Sequence, residues 1–365
     1  MKAQAVAPPE ANRKAAEPLP AGLRLGRRGW VLLPLLALLA ASGVLALALG
    51  SVAIAPEVTV QILLSKILGA PAVPAWTAGQ ETIVSQIRLP RVLLAVLAGA
   101  ALAVAGATYQ GLFRNPMGDP YLLGVAPGAS LGATIILLFG PDLGTWWPQF
   151  LPVAAFLGAL GSTVVIYGLA RVERTTPVLT LLLAGVAVGS FLSAITSFLM
   201  FARPERLQHA VFWLFGSFSR AGWTSLGTAL PYLLVGFVLA FAYARPLNLL
   251  LLDEEQAQQL GVDVERTKLV LVASATLLSA TTVAVSGLIG FVGLVAPHAA
   301  RLLWSPDYRT LLPTSALLGA TFLVLADLFA RSVFAPSELP VGIVSAICGG
   351  PFFLYLLRQR KRAVF

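Results

Sequence analysis

The sequence predicts an all-α integral membrane protein that crosses the bilayer ten times. Hydrophobic residues make up 58% of its 365 residues and charged residues only 11%, whereas a soluble domain usually carries about 25% charged residues. The hydrophobic residues form ten separate runs, and most Lys and Arg lie in the segments on one predicted side of these runs. Long apolar runs with such a charge bias are typical of transmembrane helices.

The N-terminal 29 residues differ from the apolar body. They are rich in Ala, Pro, Glu and Arg and lack apolar periodicity, which predicts a disordered cytoplasmic tail over 1–29. The first apolar run follows over 30–50 and contains Ala46-Leu47-Ala48, which resembles a signal-peptide cleavage site. About 20 apolar residues are long enough to span a bilayer, and a signal-peptide core is only about 7–15 residues long. We therefore predict a first transmembrane helix with the N-terminus inside.

Nine more apolar runs follow an outer segment over 51–87. They lie near 88–112, 125–139, 150–170, 177–201, 226–243, 269–285, 287–303, 310–330 and 340–357. With the first run they predict one ten-helix domain over 30–358, followed by a basic tail over 359–365. An even number of crossings places both termini on the same side of the membrane.

The basic residues predict which side that is. Eighteen Lys and Arg fall in segments assigned to the inside and seven in segments assigned to the outside. Because cytoplasmic loops carry the excess of basic residues, both termini and the loop over 247–268 are predicted to be cytoplasmic. The net charge of +9 does not indicate a nucleic-acid site, since no basic stripe interleaved with aromatic residues is present.

Two apolar runs end in similar breaks. AVAG at 103–106 precedes GLFRNP, and AVSG at 284–287 precedes GLVAPH; further Pro and Gly follow in both places. Matching interrupted helices in two halves of a chain are typical of transporters. Broken backbone at membrane depth is tolerated only where protein covers it or where it lines a water-filled cavity.

The loop over 247–268 is the main charged, helix-patterned interruption of the apolar body. Asp253 is predicted to cap a short helix, and Gln256, three residues later, to complete a capping box. Glu254 and Glu255 lie where the positive end of the helix dipole favours acidic side chains. Gly261 is the predicted C-terminal stop.

Two apolar residues of this loop, Ala257 and Leu260, are predicted to share one face of the short helix. A helix of about two turns is marginal alone in water, so we expect that face to contact a partner. Asp263 is predicted to cap the next helix, which enters the membrane. The alternative is an ordinary solvated connector.

Few residues indicate catalysis or metal binding. There is no GxxxxGK[ST] phosphate loop, so the chain is not expected to hydrolyse nucleotides by itself. Ser130 lies in a GxSxG pattern with His298 as an imaginable base, but small residues at this spacing more often allow close helix packing. His209 and His298 are candidate metal or haem ligands, and a structural role is favoured for each. The single cysteine, Cys348, excludes an intramolecular disulfide.

Three arginines are predicted to face outward. Arg88 and Arg91 begin a helix at the outer surface, and Arg331 ends another helix on that side. They would either extend to the lipid headgroups or bind an acidic partner through charge-assisted hydrogen bonds. Asp327 lies in an apolar run, where an unpaired carboxylate is costly. It is predicted to pair with Arg331 one turn away, with a proton path as the alternative.

Four stretches carry a resemblance to a known family. They are RLPRVLLAVLAGAALAVAGATYQGLFRNPMGDPYLLGVAPGASLG, LNLLLLDEEQAQQLGVDVER, SGLIGFVGLVAPHAARLL and ADLFARSVFAPSELPVGIVSAICGGPFF. In this order they resemble the ABC-type importer permeases for ferric siderophores, haem and vitamin B12, the FecCD-like, type II importer permeases. The resemblance covers about 80–358, which leaves out the N-terminal tail and the first helix.

The resemblance implies a permease subunit with ten helices, several of them short or broken, in a bacterial inner membrane. It implies pairing with a second permease copy, as a homodimer or pseudo-dimer, around a central pathway. Two separate ATP-binding cassette subunits would use ATP and Mg, and an extracytoplasmic substrate-binding protein would deliver the cargo. No catalytic residue, metal or bound cofactor is expected on this chain.

The resemblance also implies roles for individual residues. The segment that contacts the ATPase would be the short helix with Asp253, Glu254, Glu255, Ala257, Leu260 and Gly261. Glutamates of the binding protein would dock on Arg88, Arg91 and Arg331. The cytoplasmic gate would include Asn115, Met117, Thr175, Thr176 and Thr180, and Pro177 leaves the alignment of the last three open.

Two other functions remain as alternatives. An ion-gradient-driven secondary transporter would need membrane-embedded carboxylates, and Asp327 is almost alone among the apolar runs. An intramembrane hydrolase would use Ser130. The identity of the cargo among siderophores, haem and cobalamin is left open by the sequence.

Overall fold

The structure, a computed structural model, describes residues 21–50, 52–69, 75–140 and 147–364. Its helices are α1 Ala21–Ala48, α2 Pro56–Leu68, α3 Ala78–Thr82, α4 Leu89–Leu112, α5 Val125–Phe139, α6 Trp147–Ala170, α7 Val178–Ala202, α8 Leu207–Leu214, α9 Trp223–Ala242, α10 Ala244–Leu250, α11 Glu254–Gln259, α12 Val264–Ser286, α13 Val292–Leu303, α14 Tyr308–Ser332 and α15 Val341–Val364. A π-helical turn over Ile83–Arg88 joins α3 to α4.

The ten predicted membrane segments are confirmed as α1, α4, α5, α6, α7, α9, α12, α13, α14 and α15. Seven helical stretches of the described residues are long and apolar enough to cross a membrane, and three shorter apolar helices accompany them. The shorter ones lie over Val125–Phe139, Val292–Leu303 and Val341–Leu354. The prediction of an all-α membrane domain with short and broken helices is therefore confirmed.

Both predicted tails differ from the observed helix ends. Helix α1 begins at Ala21, so residues 21–29 are helical rather than disordered. Helix α15 continues to Val364, through most of the basic segment that was predicted as a separate tail. Neither segment contains a proline, and basic residues favour helices well enough to extend them beyond an apolar core. The rest of the predicted N-terminal tail, residues 1–20, lies outside the described residues.

The long helices run between two ends of the molecule, which we name by their contents. The α11 end carries α11 and the C-terminus of α4, joined by an ion pair between Arg114 and Asp253. The arginine end carries the start of α4 and the last turns of α14, joined by an ion pair between Arg91 and Asp327. Since ten crossings alternate in direction, α1 begins and α15 finishes at the α11 end.

Helix α4 is the centre of the bundle and packs against α9, α12, α13 and α14. In the most apolar 18-residue stretch of the span over Ala78–Leu112, 83% of the residues are buried. Two glycines allow this packing: a Cβ on Gly99 would lie 2.2 Å from the carbonyl O of Gly319, and one on Gly106 would lie 2.0 Å from that of Gly293. In membranes, where lipid is as apolar as the core, such small residues let helix backbones meet.

The two sequence breaks contact each other in the middle of the bundle. The Tyr121 hydroxyl donates to the Ile289 carbonyl O at 3.0 Å and accepts from the Ile289 N–H at 3.2 Å. The Gln110 side-chain amide donates to the Gly293 carbonyl O at 2.9 Å. The short helices that follow each begin after a left-handed residue, Gly124 or Phe291. Of the two conditions under which broken backbone is tolerated at membrane depth, cover by protein is the one that these contacts satisfy.

Candidate functional site

Helix α11 is the short helix predicted in the charged loop. The Asp253 carboxylate accepts a hydrogen bond from the Glu254 N–H at 2.7 Å, which confirms Asp253 as the N-terminal cap. The capping box with Gln256 is not formed, because Asp253 uses the first N–H of the helix rather than the third. Gly261 adopts φ +85°, a left-handed conformation that ends the helix as predicted.

The two apolar residues of this helix do not share an exposed face. Ala257 is fully buried, whereas Leu260 is 61% exposed. The side chain of Ala257 is only a methyl group, so α11 can pack closely on α10 and α12. The prediction that Ala257 contacts a partner through an exposed face is therefore wrong for this conformation. Leu260 and the neighbouring Leu252, which is 57% exposed, form the apolar part of what we call the coupling surface.

The remaining side chains of the coupling surface are polar. Glu255, Gln256, Gln258 and Gln259 are exposed, and Glu254 is half-buried. Leu252 and Leu260 therefore lie among exposed polar residues, as the centre of a protein interface lies within a polar rim. This surface is small, so it fits a local contact made by a helix end rather than an extended interface.

Lys268 connects three elements at the α11 end. Its side chain is 5% exposed, and its ammonium group has three acceptors. It donates to Glu254 at 2.7 Å, to Glu265 at 3.0 Å and to the carbonyl O of Thr176 at 3.2 Å. A buried ammonium is stable only if its donors are paired in this way. The α6–α7 loop, α11 and α12 are thus held at one point.

A second ion pair joins α11 to the loop after α4. Arg114 donates to the Asp253 carboxylate at 3.3 Å, and the two side chains are 38% and 50% exposed. Arg114 has φ +49°, an uncommon conformation for a residue other than glycine. Exposed ion pairs contribute only about 0–1 kcal/mol. This pair is therefore a weaker connection than the one through Lys268.

The residues predicted for the gate lie in two loops of the α11 end. Asn115 is exposed and its side chain accepts from the Met117 N–H at 3.0 Å, which forms a tight turn. Thr175 is exposed and Thr176 is buried, while Thr180 is half-buried in the first turn of α7. In the part of the chain that the structure describes, no hydrogen bond joins the two loops directly. The loop after α4 is instead joined to Asp253, the cap of α11, and the α6–α7 loop is joined to Lys268 of α12.

Another polar cluster of the α11 end lies away from these loops. The Asn248 amide donates to Asp307 at 2.8 Å, and its oxygen accepts from the Tyr308 N–H at 3.0 Å. Partial burial would raise the pKa of the Asp307 carboxyl, but hydrogen bonds from Arg309 and Asn248 outweigh it and lower that pKa to about 2. Asp307 also caps α14, so this cluster fixes where α10 and α14 meet.

The three arginines at the opposite end are buried rather than outward-facing. Arg88 is 6% exposed, Arg91 9% and Arg331 6%, so the prediction that they project from the surface is wrong. Arg88 donates to the carbonyl oxygens of Leu47 and Ala48 at 2.7 and 3.0 Å. These carbonyls end α1 and have no partner within the helix. A cation also complements the negative end of the helix dipole.

Arg331 completes the same arrangement from α14. Its guanidinium donates to the carbonyl oxygens of Ala46 and Leu49, the second at 2.8 Å. The two arginines thus hold the end of the first helix against α4 and α14. This explains their burial: their hydrogen-bond partners are main-chain groups some 40 and 280 residues away in sequence, which no local pattern reveals.

Asp327 is paired, and its main partner is Arg91. Two nitrogens of Arg91 lie 2.8–3.1 Å from the carboxylate oxygens of Asp327. The predicted pair with Arg331 is also present, with Nε 3.6 Å from Oδ2. The other two nitrogen contacts of Arg91 go to Glu338, at 2.9 and 3.0 Å, whose side chain is 35% exposed. Sequence analysis missed Glu338, which lies in the loop before α15.

A polar cavity of about 580 Å³ also lies at the arginine end. The ends of α6, α8, α9 and α12 line it, and its polar groups include His209, Arg220, Ser286 and Glu338. Cavities that bind small molecules have volumes of about 300–1,000 Å³. The cavity therefore has the size of a small-molecule site, and His209 lines it together with Arg220 and Glu338.

The other chemical candidates have structural roles. The Ser130 hydroxyl donates to the Ala126 carbonyl O of its own helix at 2.7 Å, and Gly128 packs against the backbone of Gly158. His298 lies beside the ring of Phe352, with the ring centres 6.3 Å apart. The described residues contain no group of three or more His, Cys, Asp or Glu side chains that could hold a metal ion. These contacts favour helix packing over hydrolysis.

Residues 38–359 match the model of the FecCD transport family. The chain is 47% identical over 281 residues to the cobalamin import system permease protein BtuC of Halobacterium salinarum, which covers 77% of this chain and 74% of that protein. It is 44% identical over 281 residues to the hemin transport system permease protein HmuU of Yersinia pestis, covering 76% and 83% of the two chains.

A solved structure extends the similarity to the whole fold. An inward-facing metal-chelate type ABC transporter superposes with a TM-score of 0.77 and 32% sequence identity. The match covers 91% of this chain and 99% of that one. The resemblance that the sequence motifs carry is therefore confirmed along nearly the full length of the described residues.

Proposed function

The chain belongs to the FecCD transport family, and from this membership we propose that it is the transmembrane permease subunit of a binding-protein-dependent ABC importer. Its cargo would be an iron chelate, haem or cobalamin, the compound classes that its relatives are named for. In this proposal the α11 end faces the cytoplasm, because the basic residues favour that orientation. The arginine end then faces the outside of a bacterial inner membrane.

The observation that best supports this function is the coupling surface on α11. A six-residue helix between two membrane helices is too short to be stable by its own hydrogen bonds. It is nevertheless capped at both ends, anchored by Ala257 and Lys268, and left with Leu252 and Leu260 exposed. A rigid helix end with an exposed apolar centre is suited to bind a cleft on a separate ATPase subunit. ATP and Mg would be bound there, not on this chain.

Pairing with a second permease copy is supported by helix α7. Of the 18 residues in its most apolar stretch, only 11% are buried. Its exposed face includes Ser190, Ser193 and Ser197 at helical spacing. Hydroxyl groups near the middle of a span gain little from contact with lipid, and they favour contact with another helix or with water. We propose that this face lies towards the second copy and the pathway between the two subunits.

The gate and the docking surface are assigned by the family resemblance. Asn115, Met117, Thr175, Thr176 and Thr180 would form the cytoplasmic constriction, since all lie at the α11 end near the attachment points of α11. The binding protein would dock at the arginine end. Three arginines and two carboxylates meet there, which leaves an excess of one positive charge. An acidic partner would compensate that charge.

The ion-gradient alternative depended on Asp327 as a carboxylate that could couple ions to transport. A coupling carboxylate must exchange protons or ions during transport, but Asp327 is held by two nitrogens of Arg91 and lies beside Arg331. A transporter powered by a separate ATPase therefore fits the structure better.

Reconstituted vesicles test the function directly. The permease would be assembled with its ATPase subunit and binding protein, and uptake of radiolabelled cobalamin, haemin and a ferric siderophore measured with and without internal ATP. Uptake of one of these compounds that requires both ATP and the ATPase subunit is the expected result. Uptake that is driven by a proton or sodium gradient without the ATPase would contradict the proposal and support the secondary transporter.

A further inference from the structure

Lys268 links α11 to the α6–α7 loop from inside the protein. Its ammonium lies 2.7 Å from Glu254 in α11 and 3.2 Å from the carbonyl O of Thr176 in the α6–α7 loop. Its own helix contributes Glu265, at 3.0 Å. The side chain is 5% exposed, so it is out of reach of any partner that binds the coupling surface.

We propose that Lys268 is a positioning residue that passes displacement of α11 to the α6–α7 loop, and hence to the first turn of α7. This inference rests on the proposed function, in which a partner moves α11. A displacement of Glu254 must move the ammonium or remove one of the two carboxylates that neutralise this buried charge, which is costly. The ammonium in turn holds the main-chain carbonyl of Thr176, so the loop follows rather than a single side chain.

The neighbouring ion pair is less suited to this task. Arg114 and Asp253 also connect α11 to a loop, but both side chains are at least 38% exposed and their closest atoms are 3.3 Å apart. Water can replace such a contact at little cost, so the bond is easily broken when α11 moves. The Lys268 side chain is only 5% exposed, so water replaces the contacts of its ammonium group less easily. The two loops of the α11 end should therefore respond differently to α11, with the α6–α7 loop following it more closely.

A labelling experiment on the assembled complex tests this inference. Cys348 is replaced by serine and Thr175→Cys places a thiol in the exposed part of the α6–α7 loop. Reaction with a water-soluble maleimide is compared in the nucleotide-free and ATP-bound complex. In this parent protein we expect the labelling rate to depend on nucleotide. In Lys268→Gln and Glu254→Gln the dependence should fall roughly tenfold, as expected for groups in one hydrogen-bonded network.

Two further measurements separate this role from a merely structural one. The double variant Glu254→Gln/Lys268→Gln should be no worse than either single variant, because both substitutions remove the same connection. The affinity of Lys268→Gln for the ATPase subunit should equal that of the parent, since Lys268 is buried. The control is Arg266→Gln, which removes a basic side chain that is exposed two positions before Lys268 and should leave the labelling unchanged.

The results distinguish a failure of this inference from a failure of the proposed function. Full nucleotide dependence in Lys268→Gln, or additive losses in the double variant, would overturn the inference and leave the proposed function intact. Absence of nucleotide dependence in the parent protein itself would overturn both, because α11 would then transmit nothing. If Lys268→Gln does not fold, Glu254→Gln provides the comparison from the other side of the ion pair, and an unchanged response in that variant would overturn the inference.

Discussion

The hydroxyl of Tyr121 satisfies both backbone groups of Ile289, donating to its carbonyl O at 3.0 Å and accepting from its N–H at 3.2 Å. The two residues belong to the two breaks in the membrane helices, which are 168 residues apart in sequence. One side chain therefore joins the two interrupted segments. In a bilayer this matters because no water is available to replace a lost hydrogen bond.

Replacement of Tyr121 by phenylalanine should therefore destabilise the protein. The substitution leaves the buried N–H and C=O of Ile289 unpaired, which costs about 1–3 kcal/mol. Thermal unfolding in detergent should show a lower midpoint for Tyr121→Phe. The control is Tyr232→Phe: Tyr232 is 49% exposed, its ring packs on Phe156, and its hydroxyl makes no hydrogen bond to another described residue. Equal midpoints for the two variants would contradict the assigned role.

Arg91 and Asp327 should stabilise the folded protein because each neutralises the buried charge of the other. Replacement of Arg91 by methionine leaves a carboxylate that is 2% exposed without its main partner, and breaking such a buried pair costs about 3–5 kcal/mol. The double variant Arg91→Met/Asp327→Leu should be more stable than Arg91→Met alone, because it removes both charges. Unfolding midpoints and expression in membranes measure both effects. A double variant that is less stable than the single one would show that the charges act separately.

The coupling surface is tested at Leu260. Because Leu260 is 61% exposed, the variant Leu260→Asp should fold normally. It should place an unpaired charge in the proposed interface with the ATPase subunit and lower the affinity for that subunit at least about tenfold. Ala257→Asp should instead fail to fold, since that position is fully buried. Leu303→Asp, at an exposed position of the same end, is the control. Wild-type affinity in Leu260→Asp, measured by co-purification and titration, would remove Leu260 from the contact.

The proposed gate is tested at Met117. After replacement of Cys348, a cysteine at position 117 should react with a membrane-impermeant thiol reagent at a rate that depends on nucleotide. Met117 is preferable to Asn115, whose side chain holds the turn by accepting from the Met117 N–H. A cysteine in place of Glu57, exposed in α2 at the other end, should react equally in all states. The same constancy at position 117 would exclude a gating role there.

Docking at the arginine end is tested without disturbing the buried arginines. Glu338 is a partly exposed carboxylate that contacts Arg91, so Glu338→Gln removes one negative charge beside Arg91 and raises the positive charge at the surface. If an acidic partner binds there, its affinity should rise in Glu338→Gln and fall with added salt. The measurement is titration of the binding protein in detergent. An affinity that neither the substitution nor salt affects would confine the arginines to a structural role.

The membrane helices of this protein can be predicted from the sequence, because the requirements for crossing a membrane apply to continuous stretches of the chain. Each crossing needs a continuous apolar run and basic residues prefer one side, so the ten runs could be located without any tertiary information. The caps of the loop helix are likewise local: Asp253, Gly261 and Asp263 act within three residues of their own position. Family motifs extended these predictions to partners and cargo classes.

Burial of the charged residues required the tertiary structure. Arg88 and Arg331 lie at helix ends, where sequence reasoning predicts exposure, yet they bind the end of a helix that is distant in the chain. Ala257 and Leu260 are three residues apart, and only the packing of α11 on its neighbours makes one of them buried. The connections of Lys268 and Tyr121 also join residues that are 92 and 168 positions apart. Periodicity and charge patterns describe local order, whereas pairing of a buried polar group depends on which distant backbone reaches it.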